Sequence, residues 1–476
     1  MIKENLSLKN KSLFYVSYRT PDYLEDDDTN EASPEELAKF IEYIYSENDT
    51  FQDIGISFLT SSIKAVNESI LTRIMSLGVL NDGTINFDLA PQILSFLGYL
   101  VQSVSRGVNT TITYEMLLEL KCLDFIYLAL GINDNLDILR EVLKSLNKFI
   151  NVEMFALWFI KNNVFERLFE ILKHLLEQNN TLDEDDIIKS IEYIFNFMNL
   201  AFRNPKLYLE MQNIKDIIPE IYLHVFSLGQ ENTKTLKQST IAMNSLQFYF
   251  SVADDQILQL FLKTNCFINM VYSYIQKGGN YIIVLISVLL VITGHSDDVV
   301  VLTIPFVEKL LELFINSNDN ISVEFLKLLT CIIRNYAACD DQKIFDFLLS
   351  DVCMRFLLKV SSPQIPYYVQ VQVHLIIYFL SMNQSFHYWI LNNFQIEMLT
   401  EKISEEPEYL MNYFSSLISF GNFLQQTDSN KFNIFLEELQ NNNIEETISD
   451  TVLNHQECEQ LLSIANQLQE FLSQYI

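Results

Sequence analysis

The stretch Val307-Glu308-Lys309-Leu310-Leu311-Glu312-Leu313-Phe314-Ile315 places apolar side chains at 307, 310, 311, 314 and 315. That three-four spacing gathers them on one side of a helix and leaves Glu308, Lys309 and Glu312 on the other. Leu136, Ile138, Leu139, Val142, Leu143 and Leu146 repeat the pattern just before Asn147. Further upstream, Ser33-Pro34-Glu35-Glu36 carries the signals of a helix start. It offers a capping hydroxyl, a Pro at the first helical position and early carboxylates that suit the positive end of the helix dipole. No alternating strand pattern of useful length accompanies these helices. Only 11 Gly and 9 Pro in 476 residues leave few turn-makers, while 49% apolar residues can fill a large core. Long helices joined by short polar loops are therefore expected.

One unit recurs along the chain: an amphipathic helix, a short loop, a polar segment with a second helix, and an apolar restart. The restarts fall near Val79, Leu123, Val164, Ile214, Phe267, Phe306, Cys353 and Ile396, at spacings of 44, 41, 50, 53, 39, 47 and 43 residues. Those intervals bracket the armadillo and HEAT repeat lengths of about 40 to 47, with insertions in the polar stretches 177–186 and 230–237. The expected fold is an all-α armadillo-repeat (ARM/HEAT-like) right-handed superhelical solenoid of about ten repeats over residues 33–476. A flexible N-terminal segment, 1–32, precedes it. In such an array each unit buries its apolar faces against its neighbours.

The charge balance narrows the function. Lys plus Arg total 31 and Asp plus Glu 61, a net charge of −30. Neutralising phosphates needs clustered cations, so no direct nucleic-acid binding is expected. The apolar run 281–292 falls well short of the roughly 20 residues of a spanning helix, so no membrane insertion is expected. The N-terminus has no apolar stretch of the secretory kind, and a soluble intracellular protein is expected. Cys122, Cys266, Cys331, Cys339, Cys353 and Cys458 are scattered without a CxxC pair and read as buried free thiols. The six His lack HxxxH or HExxH spacing, and no phosphate loop, dinucleotide fingerprint or nucleophile elbow occurs. No enzyme, metal or cofactor is expected.

Two units carry a more specific pattern. Residues 147–168 read NKFINVEMFALWFIKNNVFERL and 335–356 read NYAACDDQKIFDFLLSDVCMRF. In each, an Asn ends one helix, a polar loop and short helix follow, and an apolar restart opens the next repeat. Asn199-Leu200-Ala201-Phe202-Arg203-Asn204-Pro205-Lys206 repeats the same start, and 435–476 forms an acidic helix, a loop and a last amphipathic helix. These segments resemble the armadillo units and closing segment of the importin-α family of nuclear transport adaptors.

The resemblance implies a concave groove that binds the basic nuclear-localisation-signal segments of cargo proteins. A row of Asn amides would pair the backbone of an extended peptide, and neighbouring aromatic rings would flank its Lys and Arg stems. The Asn positions hold Ser103, Asn147, Asn199, Tyr249, Leu290, Asn335 and Asn422, and the Trp positions hold Tyr99, Leu143, Phe195, Ser245, Cys331 and Ile418. The candidate groove is therefore Tyr99, Ser103, Asn147, Phe195, Asn199, Asn335 and Asn422, with Trp158 and Trp389 expected in the core. Lys3, Lys9, Lys11 and Arg19 resemble the importin-β-binding segment of the family. The implied partners are basic cargo, an importin-β-type carrier and an export receptor at the C-terminal repeats, with residence in cytoplasm and nucleus. The alternative is an armadillo or HEAT scaffold, or a regulatory subunit, that binds a helix or folded partner without a cargo role.

Overall fold

A computed structural model describes residues 33–475 except 133, 178–183, 229–232, 317–322, 340–341, 362–366 and 403. The expected importin-β-binding residues Lys3, Lys9, Lys11 and Arg19 lie outside the described residues. The fold is all-α, a helical-repeat array of the armadillo/HEAT kind. Among the described residues there is no β-strand, only one antiparallel bridge between Val79 and Ile85.

Three helices make the repeating unit, and within each compact unit the third helix of one repeat packs on the third of the next. In the middle of the first half, Glu153–Lys161 and Val164–Glu177 lead into a long helix, Glu184–Phe202. Pro205–Glu210 and Ile217–Leu228 then lead into Thr233–Phe250. Taking only these third helices, the ladder of the first half is α1 (Asp49–Ser61), α2 (Ala90–Ser105), α3 (Leu136–Phe149), α4 (Glu184–Phe202) and α5 (Thr233–Phe250), each packed on the next. A second ladder contains α6 (Asn280–Ile292), α7 (Val323–Cys339), α8 (Tyr367–Ser381), α9 (Pro407–Thr427) and α10 (Glu459–Leu472). The chain divides into two compact units, one reaching Ile257 and including Thr264–Met270, the other comprising Leu258–Lys263 and the residues from Val271 on. Neighbour-on-neighbour packing is how such an array buries faces that no single unit could bury.

Local chemistry explains the corners. Lys121, Asn163 and Asn443 have φ of 57°, 55° and 52°. Each sits between the first and second helices of its unit, where a single left-handed residue turns the chain sharply enough for the apolar restart to fold back. Ser33 and Glu36 form the expected capping box: the Glu36 amide donates to Ser33 Oγ at 3.2 Å, and the Ser33 amide donates to Glu36 Oε2 at 3.0 Å. Asn135 opens α3 in a similar way, its Oδ1 accepting from the amides of Asp137 and Ile138.

Three expected restarts need correction. Val79 is in the bridge with Ile85, and the next helix begins only at Ala90. Ile214 closes a 3₁₀ turn, Met211–Ile214, and its helix starts at Ile217. Phe306 lies inside one continuous helix, Asp297–Asn316, that fuses what are separate first and second helices elsewhere. Pro305 is accommodated within that helix although Pro removes a backbone donor. The tryptophans are half-buried rather than deep in the core: Trp158 meets Tyr127 and Phe159 edge-on, and Trp389 meets Phe394. Of the cysteines, Cys122 and Cys353 are buried and Cys266, Cys331 and Cys458 are half-buried free thiols. Burial pushes the thiols of Cys122 and Cys353 up to about 12, so neither is a ready nucleophile near neutral pH. No helix among the described residues is long and apolar enough to cross a membrane.

Candidate peptide-binding groove

A groove of about 980 Å³ in the first unit runs across α2, α3 and α4. From α2 come Ser95, Tyr99, Gln102 and Ser105, with Arg106 at the helix end. From α3 come Glu141, Lys144, Ser145, Asn147 and Lys148, and from α4 comes Tyr193. Tyr114, Asn151, Val152 and Glu153 close its end.

Close approach of α2 and α3 sets the floor. Ser145 Oγ donates to Leu94 O at 2.5 Å across the two helices. A Cβ at Gly98 would lie 3.1 Å from both Ser145 Oγ and Lys148 Cδ, so the missing side chain is what lets the Lys148 stem cross here. Lys148 then lays its ammonium 3.5 Å from the centroid of the Tyr99 ring. Tyr99 itself is 48% exposed, so its ring forms one wall of the groove. Burial, opposed by the charge of Glu141 and helped by Lys144 and Arg106, brings the Lys148 ammonium down to about 8.

Cation–ring contacts of the opposite sense, with the cation on the earlier element and the ring on the later helix, occur elsewhere in each unit. Arg203, just past α4, lies 4.6 Å from the Phe248 ring on α5. In the second unit Arg334 of α7 lies 5.3 Å from the Phe379 ring of α8 and pairs with Glu408. In each of these contacts one of the chain's own cations covers an aromatic ring, worth about 0.5–2 kcal/mol each.

The expected site residues separate into distinct roles. Tyr99 and Asn147 line the groove. Asn147 spends its amide on the array: Nδ2 donates to Leu143 O at 2.7 Å and to Tyr193 O at 2.9 Å, joining α3 to α4. Its Oδ1 has no hydrogen-bond partner. Asn199 is engaged one rung on, where its Oδ1 accepts from Ser245 Oγ of α5, and Ser245 Oγ lies 2.7 Å from Tyr222 Oη. Both Asn contacts span 46 residues, so the recurrence marks a staple between neighbouring ladder helices.

Phe195 is corrected outright. It is 1% exposed and packs against Tyr222 with ring centroids 5.3 Å apart, so it offers no wall to a ligand. Ser103 is 6% exposed and belongs to the packed end of α2. Tyr249, at another Asn position, is fully buried and stacks on Tyr222 at 5.6 Å. Asn335 lies on α7, but its side chain lies outside the described residues. Asn422 is exposed on α9 in the second unit. Sequence reasoning passed over Lys148 and Tyr193. The signal for Lys148 was its place 49 residues after Tyr99, on the facing helix.

Among the described residues no group of His, Cys, Asp and Glu could hold a metal ion. No family model and no curated protein matches the chain. Among solved structures, Kap121p superposes on it with a TM-score of 0.41 at 13% identity, over 92% of this chain and 44% of that one. Kap121p bound to Ste12p gives 0.41 at 13%, over 93% and 45%. A chain from a structure concerning the interaction between cadherin and β-catenin gives 0.44 at 9%, over 92% and 94%. The present chain spans less than half the length of the Kap121p chains.

Proposed function

We propose that this chain is a non-catalytic adaptor that holds an extended segment of a partner protein across α2, α3 and α4. The observation that carries the reading is the groove itself: an exposed Tyr99 wall and a polar floor at Asn147, running over successive rungs of one packed unit. An aromatic wall beside polar groups suits a peptide, whose side chains need apolar contact and whose backbone needs hydrogen-bond partners.

A second reading, carried by the net charge of −30 and by the importin-α resemblance, is nuclear import of proteins with basic segments. It would add an importin-β-type carrier at residues 1 to about 20, an export receptor at the C-terminal repeats, and residence in cytoplasm and nucleus. Under it, a cargo Lys or Arg must displace Lys148 from Tyr99. The acidic surface would speed encounter with such a ligand at low salt.

Both readings are tested by fluorescence anisotropy of labelled twelve-residue peptides, one Lys/Arg-rich, one Asp/Glu-rich and one neutral, against the full chain at two salt concentrations. Tyr99→Ala is the informative variant, because Asn147→Ala would also cut the α3–α4 staple. Saturable binding that Tyr99→Ala weakens at least tenfold supports the groove. Titrations that never saturate with any peptide sink the adaptor reading.

A further inference from the structure

Three cations, Arg106, Lys144 and Lys148, reach one groove of a chain that has only 31 Lys and Arg among 476 residues. Two carboxylates also line it, and they are unequally free. Glu141 is taken by Lys144 at 2.6 Å and by Arg140 at 3.7 Å. Glu153 lies in the first turn of Glu153–Lys161, where the helix dipole already favours it. Lys148 and Arg106 have no ion pair among the described residues. The dipole of α3 accounts for a cation in its last turn. It does not account for an ammonium folded back over Tyr99 into the groove rather than out to water, where hydration would be complete.

We propose that this groove binds an acidic extended peptide, with a carboxylate seated between Lys148 and Arg106 and the peptide's apolar atoms against Tyr99. The proposal deepens the adaptor reading and rests on it. Its argument is charge complementarity. The slot that a basic side chain would use is filled by Lys148, so an incoming Lys must expel a cation and meet two more. An incoming Asp or Glu meets a half-buried ammonium without a carboxylate partner and supplies the counter-charge. Burial is the main cause that disfavours the charged Lys148, the Glu141 charge offsets it in part, and the Lys144 and Arg106 charges add to it. An anion seated among the three cations would therefore strengthen the offset. Within the same unit, Arg203 covers the Phe248 ring in a comparable way.

The test uses the full chain and the same three peptides, with Lys148→Met, Lys148→Arg and Tyr99→Ala, each checked by circular dichroism for native helix content. The expected result is that the Asp/Glu-rich peptide binds more tightly than the other two. Lys148→Met should weaken it at least tenfold, about 1.4 kcal/mol, and Lys148→Arg should restore most of the affinity. Preference for the Lys/Arg-rich peptide, or binding tightened by Lys148→Met, overturns the acidic-ligand proposal and leaves the adaptor reading standing. Equal loss of the acidic peptide in Lys148→Met and Lys148→Arg also overturns it, because charge would then not be what the groove reads. Failure of every peptide to saturate defeats the adaptor reading itself, and the proposal with it.

Discussion

Replacing Lys148 by Met should make the folded protein more stable while removing the contact proposed for an acidic ligand. The ammonium falls from 10.5 to about 8, and burial is the leading cause. A drop of about 2.5 units at 1.36 kcal/mol per unit is about 3.4 kcal/mol against the charged form. The side chain is only half-buried, so solvent screening removes a good part of that. The contact with Tyr99 returns about 0.5–1 kcal/mol more. Met keeps the unbranched stem that fits beside Gly98 and brings no charge, so the net gain should be about 1–2 kcal/mol at pH 7. The folded value is depressed, so the penalty is fully present below pH 8, where both folded and unfolded chains are protonated. Between pH 8 and 10.5 the folded chain releases the proton that the unfolded chain still holds, and the parent grows more stable. The gap between parent and variant should therefore close as pH rises through that window. Urea unfolding at pH 7 and pH 10 measures it. Trp158 fluorescence in a Trp389→Phe background reports on the first unit, because arrays can unfold in blocks. A variant less stable than the parent at pH 7, or a gap unchanged at pH 10, refutes the claim that Lys148 is held there against its hydration.

Three further outcomes follow from packing in the second unit. Gly421→Ala would set a Cβ 2.8 Å from Phe471 Cζ and 3.0 Å from Phe435 Cε1, so the rings of α10 and of Ser429–Asn441 must shift. A loss of about 1–3 kcal/mol is expected in urea unfolding, and an unchanged midpoint counts against that crowding. Tyr378 Oη donates to Glu401 O at 2.7 Å and lies 3.0 Å from Tyr409 Oη and 3.3 Å from His374 Nδ1. Tyr378→Phe removes the donor to Glu401 O and should cost about 1–3 kcal/mol by the same assay, whereas a neutral result would mean that carbonyl finds another donor. Burial brings His374 from 6.5 down to about 4, so the unfolded chain takes up a proton there before the folded one does. Stability should be full above about pH 7 and fall by up to about 3 kcal/mol as pH drops from 6.5 to 4. His374→Phe should flatten that slope, and a slope that survives it belongs to another group.

The helices were legible in the sequence because their apolar spacing is a local signal that packing only reinforces. The capping box at Ser33 and the polar corner residues before Cys122, Val164 and Ile444 are local too. The fused helix Asp297–Asn316 was not, because Pro305 reads as punctuation unless the surrounding packing holds the helix through it. The Asn row shows a deeper limit. Spacing correctly returned one Asn per rung at 147 and 199, but spacing does not say whether an amide faces a ligand or the next helix. Asn147 and Asn199 join α3 to α4 and α4 to α5, and Phe195 fell inside because the face of α4 that carries it is the one packed on Tyr222. Lys148 escaped notice because a cation in the last turn of a helix is ordinary on dipole grounds alone. Its meaning depends on where Gly98 lets its stem pass.

The staples also make the groove a ruler. Ser145 to Leu94 O and Asn147 to Tyr193 O tie α3 to both neighbours, which resists drift of the interval from rung to rung. Packed helices stand about 8–10 Å apart, while an extended chain advances about 3.3 Å per residue. One rung would therefore correspond to about two and a half to three residues of the proposed bound segment, and an extended chain turns alternate side chains to opposite sides. At about three residues per rung, successive rungs would meet opposite edges of the segment, and the same edge would return only after about six residues. A partner written to fit this array would carry its recognised side chains in that spaced register, with the intervening positions free to vary.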